Sequence, residues 1–295
     1  MKFSHFHLIF LLGAALFVSP APAASAQSSI NWKTAIRYGK LVNIAENVSS
    51  TSNLTATDKQ AIANLGYTYL ATIYGSDLGT DGSPEAGVTV SYGFLAISSS
   101  GELVAAIRGT DSILEWIDDA QIYFVPNPIA DSAGYTAEGF TAIYKSLRTG
   151  PSSTSTSLPT AIKSYIASGQ AQSITVSGHS LGGALVTLLS LDLAHNSTLV
   201  PTSYTFASPR TGDLFFRNDY NSAVANSYRV YNATDIVPDL PLWPYYSVKS
   251  GFKLTPNAAQ VDTGVACSHH MTTYLWLMGQ QAGVDAGSLN SSCAK

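Results

Sequence analysis

The sequence predicts an α/β fold, a mostly parallel central sheet flanked by helices, on two observations. Short β-branched strands alternate with helical segments after a hairpin, from about residue 88 to residue 279. Such alternation is typical of parallel sheets covered by helices. In addition, a β-branched strand at 173–177 runs through Gly178-His179-Ser180-Leu181-Gly182 into a long apolar segment. A strand, a sharp turn and a helix in this order are the setting in which a Gly-X-Ser-X-Gly motif presents a reactive serine.

The individual elements are predicted from the spacing of apolar side chains. Residues 30–46 and 58–74 have helical spacing, and Thr57 or Asp58 is the expected N-cap of the second helix. The same reasoning predicts helices at 135–148, 181–194 and 270–279, and strands at 88–97, 103–107, 173–177, 203–207 and 227–231.

The first residues carry the pattern of a secretory signal peptide. Lys2 supplies a positive charge, residues 8–18 an apolar core, and Ala24-Ser25-Ala26 a small-residue cleavage site. The apolar core has 11 residues, which is too few to span a bilayer, and no later stretch is long enough. We therefore expect a signal peptide at 1–26, a single domain at 27–295, secretion and no transmembrane segment.

The charge balance argues against two classes of partner. The chain has 15 basic and 19 acidic residues, and removal of Lys2 with the leader leaves 14 basic residues and a net charge of −5. Binding of nucleic acid or of an anionic membrane requires a basic surface, so neither is expected as a main partner. The composition leaves the oligomeric state open.

The two cysteines, Cys267 and Cys293, are expected to form a disulfide in an exported chain. The bond would close a loop of about 27 residues and stabilise the fold by about 3 kcal/mol. Glycosylation depends on the host, and the acceptor pattern Asn-X-Ser/Thr occurs at Asn47, Asn53, Asn196, Asn232 and Asn290.

A serine nucleophile needs a general base, and elimination leaves two histidines for this role. His179 adjoins Ser180 in the turn and would point elsewhere. His195 ends the helix that follows Ser180, about 22 Å away at 1.5 Å per residue. His269 and His270 remain, and they are adjacent, which is poor geometry for binding one metal ion. Neither a metal nor a cofactor is predicted.

The base needs an orienting acid, which in this fold class lies between the nucleophile and the histidine in the chain. No Glu occurs in that interval, so the acid is an Asp. Asp235 follows the strand at 227–231, which places it at the carboxyl edge of the sheet, where sites of open α/β folds lie. Asp239 is the alternative. The Leu181 amide, at the start of the next helix, is a candidate oxyanion donor for Ser180.

Taken together, the motifs of this chain resemble the fungal-type class 3 lipase family of α/β hydrolases, over roughly residues 85–280. The motifs are Ile107-Arg108-Gly109-Thr110, Trp116 with Asp119, Glu138-Gly139-Phe140, Gly178-His179-Ser180-Leu181-Gly182-Gly183, Phe206-Ala207-Ser208-Pro209-Arg210-Thr211-Gly212-Asp213, Asp235-Ile236-Val237-Pro238 and His269-His270-Met271-Thr272-Thr273-Tyr274-Leu275.

The resemblance implies a catalytic triad and a second oxyanion donor. By position, Ser180 corresponds to the nucleophile, Asp235 to the acid and His270 to the base. In the family a tyrosine follows the catalytic histidine closely, commonly as His-X-X-Tyr. Tyr274 lies four residues after His270 and five after His269, so neither spacing matches, and His269 stays the alternative. Thr110 corresponds to the second oxyanion donor.

The resemblance also implies a short helical lid after Thr110, with Ile113, Trp116 and Ile117 on its apolar face. This face favours acylglycerol substrates and transient contact with a lipid–water interface. The resemblance therefore implies a secreted serine lipase. A feruloyl-type or other soluble-ester esterase of the same family is the alternative, and a non-catalytic binding protein on this scaffold is a more remote one.

Overall fold

The computed structural model describes residues 29–47, 54–78, 84–110, 123–249 and 251–295. Within them the strands are β1 (Tyr67–Leu78), β2 (Pro84–Ser98), β3 (Glu102–Ile107), β4 (Phe124–Pro126), β5 (Tyr135–Ala137), β6 (Ser173–His179), β7 (Thr202–Phe206), β8 (Ser227–Asn232) and β9 (Phe252–Leu254). Seven of these described strands form one sheet in the order β1-β2-β3-β6-β7-β8-β9. The pairs from β3 to β9 are parallel, while β1, β2 and β3 are joined antiparallel. The mostly parallel sheet is confirmed.

Helices cover both faces of this sheet. Their bounds are α1 (Trp32–Glu46), α2 (Ala56–Asn64), α3 (Glu138–Ser146), α4 (Leu158–Ala167), α5 (Leu181–Asn196), α6 (Leu214–Ala223), α7 (Val265–His269) and α8 (Met271–Ala282). One apolar cluster packs α3, α4, α5 and α6 against the sheet, and a second packs α1, α2 and α8 against it. None of the described helices is long and apolar enough to cross a membrane.

The strand β3 shows how the sequence produces two cores. Leu103, Ala105 and Ile107 belong to the first cluster, whereas Val104 and Ala106 belong to the second. Successive side chains of a strand point to opposite faces, so a continuous apolar run is buried on both sides. This pattern fixes β3 in the interior of the sheet, next to β6.

The second predicted helix is wrong over its later half. α2 ends at Asn64, and Gly66 turns the chain with a φ of 91°, a conformation that favours glycine. The following residues form β1, which is rich in β-branched and aromatic residues and pairs with β2, for example Thr72 with Phe94. The N-cap is Thr55, whose side chain accepts from the Asp58 amide in a capping box. The N-cap is therefore neither Thr57 nor Asp58, and Asp58 is instead the third helical residue, which completes the capping box with Thr55.

The parallel strands end together at one edge of the sheet. β3, β6, β7 and β8 all run in the same direction, so the segments that follow them lie side by side. These segments are 108–110, the turn at Ser180, residues 207–213 and the loop that contains Asp235. This edge therefore holds most of the residues that the sequence analysis singled out.

Candidate active site

Ser180 lies on a sharp turn between a strand and a helix. β6 ends at His179 and α5 begins at Leu181, so one residue makes the connection. Its backbone has φ 55° and ψ −127°, which non-glycine residues rarely adopt. The Ser180 amide donates to the carbonyl oxygen of Phe206 at 3.0 Å, which ties the turn to β7. Such strain persists only where the surrounding structure holds it, and it is common at functional sites.

Two glycines of the motif are required by close backbone contacts around this turn. A Cβ added to Gly178 would lie 2.3 Å from the carbonyl oxygen of Gly182. A Cβ added to Gly182 would lie 2.4 Å from the carbonyl oxygen of Ile107 on β3. Both contacts are with backbone, so a side chain would force the helix away from the sheet.

Two hydrogen bonds connect Ser180, His269 and Asp235. Ser180 Oγ lies 2.8 Å from Nε2 of His269, and Nδ1 of His269 lies 2.9 Å from Oδ2 of Asp235. Because a carboxylate only accepts, Nδ1 carries the proton and Nε2 of the neutral ring accepts from the serine hydroxyl. Asp239, the alternative acid, instead accepts from Arg210 at 3.2 Å, and its side chain is 78% exposed. The structure therefore favours Asp235.

Asp235 is held by donors from three parts of the chain. Besides His269, the Tyr274 hydroxyl donates to Oδ2 at 2.7 Å and the Val237 amide donates to Oδ1 at 3.0 Å. The residue is 4% exposed, so these donors take the place of water. A carboxylate fixed in this way can orient the imidazole that it binds.

The histidine in contact with Ser180 and Asp235 is His269 and not His270, the residue preferred from the sequence. Nδ1 of His270 lies 2.9 Å from the hydroxyl oxygen of Thr272, and Nε2 lies 3.3 Å from the side-chain nitrogen of Asn290. The reason is a break in the helix: α7 ends at His269 and His270 is extended, with φ −65° and ψ 134°. His269 and Tyr274 therefore lie in two different helices, so the number of residues between them does not identify the base.

The electrostatics of the site favour the neutral form of His269. Burial lowers the pKa of His269, and the charge of His179 lowers it further, against the opposing effect of Asp235. The net direction is a pKa below the ordinary value for histidine. A neutral imidazole at neutral pH is the form that can accept a proton from Ser180.

The loop with Thr110 passes directly beside the serine. A Cβ added to Gly109 would lie 2.7 Å from Cβ of Ser180. Thr110 and His269 line the same cleft, which has a volume of about 640 Å³. Leu181 opens α5, and first-turn amides have no partner within their helix. Thr110 thus directly follows the residue that packs on Ser180, and Leu181 directly follows Ser180 itself.

Glu46, at the end of α1, was missed by the sequence analysis. Its Oε1 lies 3.0 Å from Nδ1 of His179, and Nε2 of His179 lies 2.8 Å from the carbonyl oxygen of His269. His179 therefore turns away from Ser180, as expected, but it contacts the segment that carries the base. No local pattern could connect Glu46 with a residue 133 positions later.

The disulfide prediction is confirmed, since Cys267 and Cys293 are bonded. Cys267 belongs to α7, two residues before His269, so the bond ties the end of the chain to the helix that carries the histidine. The Asp262 amide also donates to the carbonyl oxygen of Cys293 at 2.8 Å. The histidine segment is therefore restrained from both sides.

Several sequence predictions lie outside the described residues. These are the signal peptide at 1–26, the lid residues Ile113, Trp116 and Ile117, and the acceptor site at Asn53. Among the described acceptor sites, Asn232 is 1% exposed and its Nδ2 donates to the Ser268 carbonyl oxygen at 2.8 Å. A glycan attaches to that nitrogen, so folded protein has no room for one at Asn232.

The mostly parallel sheet, with its serine on a strained turn after β6, defines an α/β hydrolase. The family comparison leads to the same class and narrows it. Residues 104–245, just under half of the chain, match the family model described as "Lipase (class 3)".

Two relatives show what the chain is similar to. A secreted mono- and diacylglycerol lipase A of Penicillium cyclopium is 31% identical over 181 residues, covering 60% of this chain and 56% of the relative. A phospholipase A1 of rice, Oryza sativa subsp. indica, is 32% identical over 193 residues, covering 54% of this chain and 46% of the relative. The chain thus spans about half the length of the relatives it matches.

Solved structures support the fold. A lipase of Yarrowia lipolytica superposes with a TM-score of 0.61 at 21% identity, covering 80% of this chain and 82% of the other. A triacylglycerol lipase whose catalytic centre is described as a serine protease triad superposes with a TM-score of 0.56 at 24% identity, covering 76% and 79%. The predicted α/β-hydrolase fold is therefore confirmed.

Proposed function

We propose that this protein is a secreted serine hydrolase that cleaves carboxylic esters of lipids, most readily acylglycerols, through an acyl-enzyme on Ser180. The observation that carries the proposal is the chain of two hydrogen bonds from Ser180 Oγ through His269 to Asp235. The names of the relatives, a mono- and diacylglycerol lipase and a phospholipase A1, support lipid esters as the substrate class.

The geometry suggests a two-step reaction. Ser180 Oγ attacks the ester carbonyl carbon while its proton passes to Nε2 of His269, and Asp235 stabilises the resulting imidazolium. The amides of Thr110 and Leu181 hold the oxyanion. Collapse of the intermediate breaks the bond to the alcohol, which leaves with the proton from His269. Water, activated in turn by His269, then releases the fatty acid and restores the serine.

The surface around this edge of the sheet supports a lipid substrate over a soluble one. Leu242 is 68% exposed and Trp243 is 80% exposed, both on the loop that follows Asp235. Phe215, 65% exposed, lies in the first turn of α6, three residues after Gly212. Gly212 pairs with Tyr246 of the same loop. Exposed apolar side chains gathered at one place mark surfaces that contact lipid or protein.

The catalytic assignment is tested with single-residue variants and a phosphonate probe. Ser180→Ala and His269→Ala are each expected to lower kcat by about 10⁴ or more, because members of a triad act as a unit. His270→Ala is the matched control, an adjacent histidine outside the hydrogen-bond chain, and is expected to keep most activity. Wild-type protein that neither reacts with the probe at Ser180 nor hydrolyses any ester would favour a non-catalytic binding protein.

The substrate class is tested by following the rate with a sparingly soluble acylglycerol through its solubility limit. A rise in rate when droplets appear is expected, and Trp243→Ser should reduce that rise. Val200→Ser is the control, because Val200 is 53% exposed but precedes β7 at the opposite edge of the sheet. Smooth saturation together with fast hydrolysis of methyl ferulate would instead favour the soluble-ester alternative.

Secretion and the lid belong to the same proposal. Protein recovered from the culture medium should have the intact mass of residues 27–295, with the leader 1–26 removed. The proposed lid segment is tested with Trp116→Ser, which should reduce the rise in rate at droplets as Trp243→Ser does. Full-length protein retained in the cell would contradict the leader.

A further inference from the structure

His179 lies between two hydrogen-bond acceptors, although it takes no part in the proposed reaction. Its Nδ1 faces Oε1 of Glu46 at 3.0 Å, and its Nε2 faces the carbonyl oxygen of His269 at 2.8 Å. The side chain is 7% exposed, and the His269 ring lies 4.8 Å away, centre to centre. The residue is thus enclosed between α1 and the segment that carries His269.

The two partners determine the protonation of His179. A carboxylate and a backbone carbonyl can only accept hydrogen bonds, so each ring nitrogen must carry a proton. A neutral imidazole has one N–H, and its other nitrogen would then face an oxygen lone pair at hydrogen-bond distance. The contacts therefore require an imidazolium at His179, with its positive charge balanced by Glu46.

The carboxylate of Glu46 also holds the loop beside the serine. Its Oε1 accepts from the Gly109 amide at 3.0 Å, in addition to His179. Arg108 donates from its guanidinium to the carbonyl oxygens of Ser91 and Gly109, at 2.7 and 2.8 Å. One carboxylate of α1 thus joins the loop of Thr110 to the turn that carries Ser180.

We propose that Glu46 and His179 form an ion pair that positions the catalytic groups and keeps His269 unprotonated. Glu46 fixes the Gly109–Thr110 loop, and His179 fixes the backbone of His269. The positive charge of His179 opposes protonation of the neighbouring ring. This inference rests on the proposed function of Ser180 and His269, and it assigns two residues a positioning role.

The charges that face His269 agree with this role. Asp235 binds its Nδ1, His179 lies beside the ring, and Glu46 lies behind His179, while Tyr274 contacts Asp235. Burial would lower the pKa of His179, but the hydrogen bond and charge of Glu46 raise it above the ordinary value. His179 lowers the pKa of His269 more than the distant Glu46 raises it. Loss of the pair should therefore raise the pKa of His269.

The test uses Glu46→Gln and His179→Gln in the full chain. The amide of Glu46→Gln has no negative charge to balance a charged His179, so His179 loses its proton and one of its two hydrogen bonds, and the link between the loop and the turn weakens. We expect kcat to fall about tenfold with little change in KM, because the loop acts on the transition state. The acid limb of the pH profile of kcat/KM should move to higher pH in both variants. Glu46→Asp, which keeps the charge, should leave that limb near the wild-type position.

A matched control separates positioning from plain stability. His195 and Asp219 form a second, partly buried pair with the same 3.0 Å distance, at the far end of α5. His195→Gln should lower the melting temperature as Glu46→Gln does, but leave kcat and the acid limb unchanged. If Glu46→Gln behaves like His195→Gln, the pair is only structural and the inference is overturned.

A measurement without substrate separates this inference from the proposed function. In ¹⁵N-histidine-labelled protein, the NMR signals of His179 should show two ring N–H groups from pH 6 to 8, whereas Glu46→Gln should show one. A single ring N–H at His179 in the wild type would refute the charge assignment. If the two N–H groups are present but the protein hydrolyses no ester, the proposed function fails and the assignment of the ion pair stands.

Discussion

Replacing Tyr274 with phenylalanine removes one hydroxyl that makes two hydrogen bonds in the interior of the site. It donates to Oδ2 of Asp235 at 2.7 Å and accepts from the Asn232 amide at 3.0 Å. Tyr274 is 0% exposed, so water has no direct access to either partner. The substitution therefore weakens the support of Asp235 and leaves a buried amide without its acceptor.

The magnitude follows from these two bonds. A hydrogen bond to a charged group contributes about 1.5–3 kcal/mol, and a buried polar group left unsatisfied costs about 1–3 kcal/mol. Tyr274→Phe should therefore lower the free energy of unfolding by about 3 kcal/mol, which corresponds to about 6–12 °C in melting temperature. Because Oδ2 also binds His269, kcat should fall about tenfold with KM unchanged.

The assay compares Tyr274→Phe with Tyr144→Phe. The Tyr144 hydroxyl also donates to a carboxylate, that of Asp192, and the residue is 5% exposed, but the pair joins α3 to α5 away from the serine. Both variants should lose stability in denaturant unfolding, and only Tyr274→Phe should lose turnover per phosphonate-titrated site. Equal kcat values for the two variants, or full stability of Tyr274→Phe, would refute the reasoning.

Three further predictions concern the rest of the site. Thr110→Val keeps the backbone amide and deletes the hydroxyl. Loss of a complete oxyanion donor lowers kcat by about 10²–10³, so this variant should lose less, with the melting temperature unchanged. An unaltered kcat would show that the hydroxyl does not contribute. The double variant Cys267→Ser/Cys293→Ser should lower the free energy of unfolding by about 3 kcal/mol, because the bond closes a loop of about 27 residues. Equal unfolding midpoints in denaturant would contradict this. Because burial and His179 lower the pKa of His269, the midpoint of the acid limb of kcat/KM should lie below the ordinary histidine pKa of about 6.5. The measurement is kcat/KM from pH 4 to 9, and a midpoint above that value would contradict the environment described for the base.

The parts of the site that depend on local sequence were predictable. Ser180 was found because a strand, two glycines and an apolar helix impose one geometry on the turn between them. Asp235 was found because parallel strands end at the same edge, so a residue just after β8 falls near Ser180. The disulfide needed only the count of two cysteines in an exported chain.

The parts that depend on tertiary contacts were not predictable. The choice between His269 and His270 depends on a helix break that the residue count to Tyr274 does not reveal. Glu46 reaches the site only because α1 packs on the face of the sheet that holds α8. The helical prediction over 58–74 failed after Asn64 because the apolar residues of β1 also fit a helical spacing. Pairing with β2 decided between helix and strand for these residues.

The buried position of Asn232 has a consequence for how this protein is made. Its acceptor pattern, Asn232-Ala233-Thr234, is complete in the sequence, so an oligosaccharyltransferase can modify it while the chain is unfolded. A sugar on Nδ2 would then prevent the bond to Ser268 and keep the adjacent His269 segment from docking. In a glycosylating host, folding of this region therefore competes with modification of Asn232. Each chain modified there cannot complete the site and is inactive. Asn232→Gln would remove the competition while keeping an amide donor, so the yield of active protein from such a host reports on the rate at which β8 is buried.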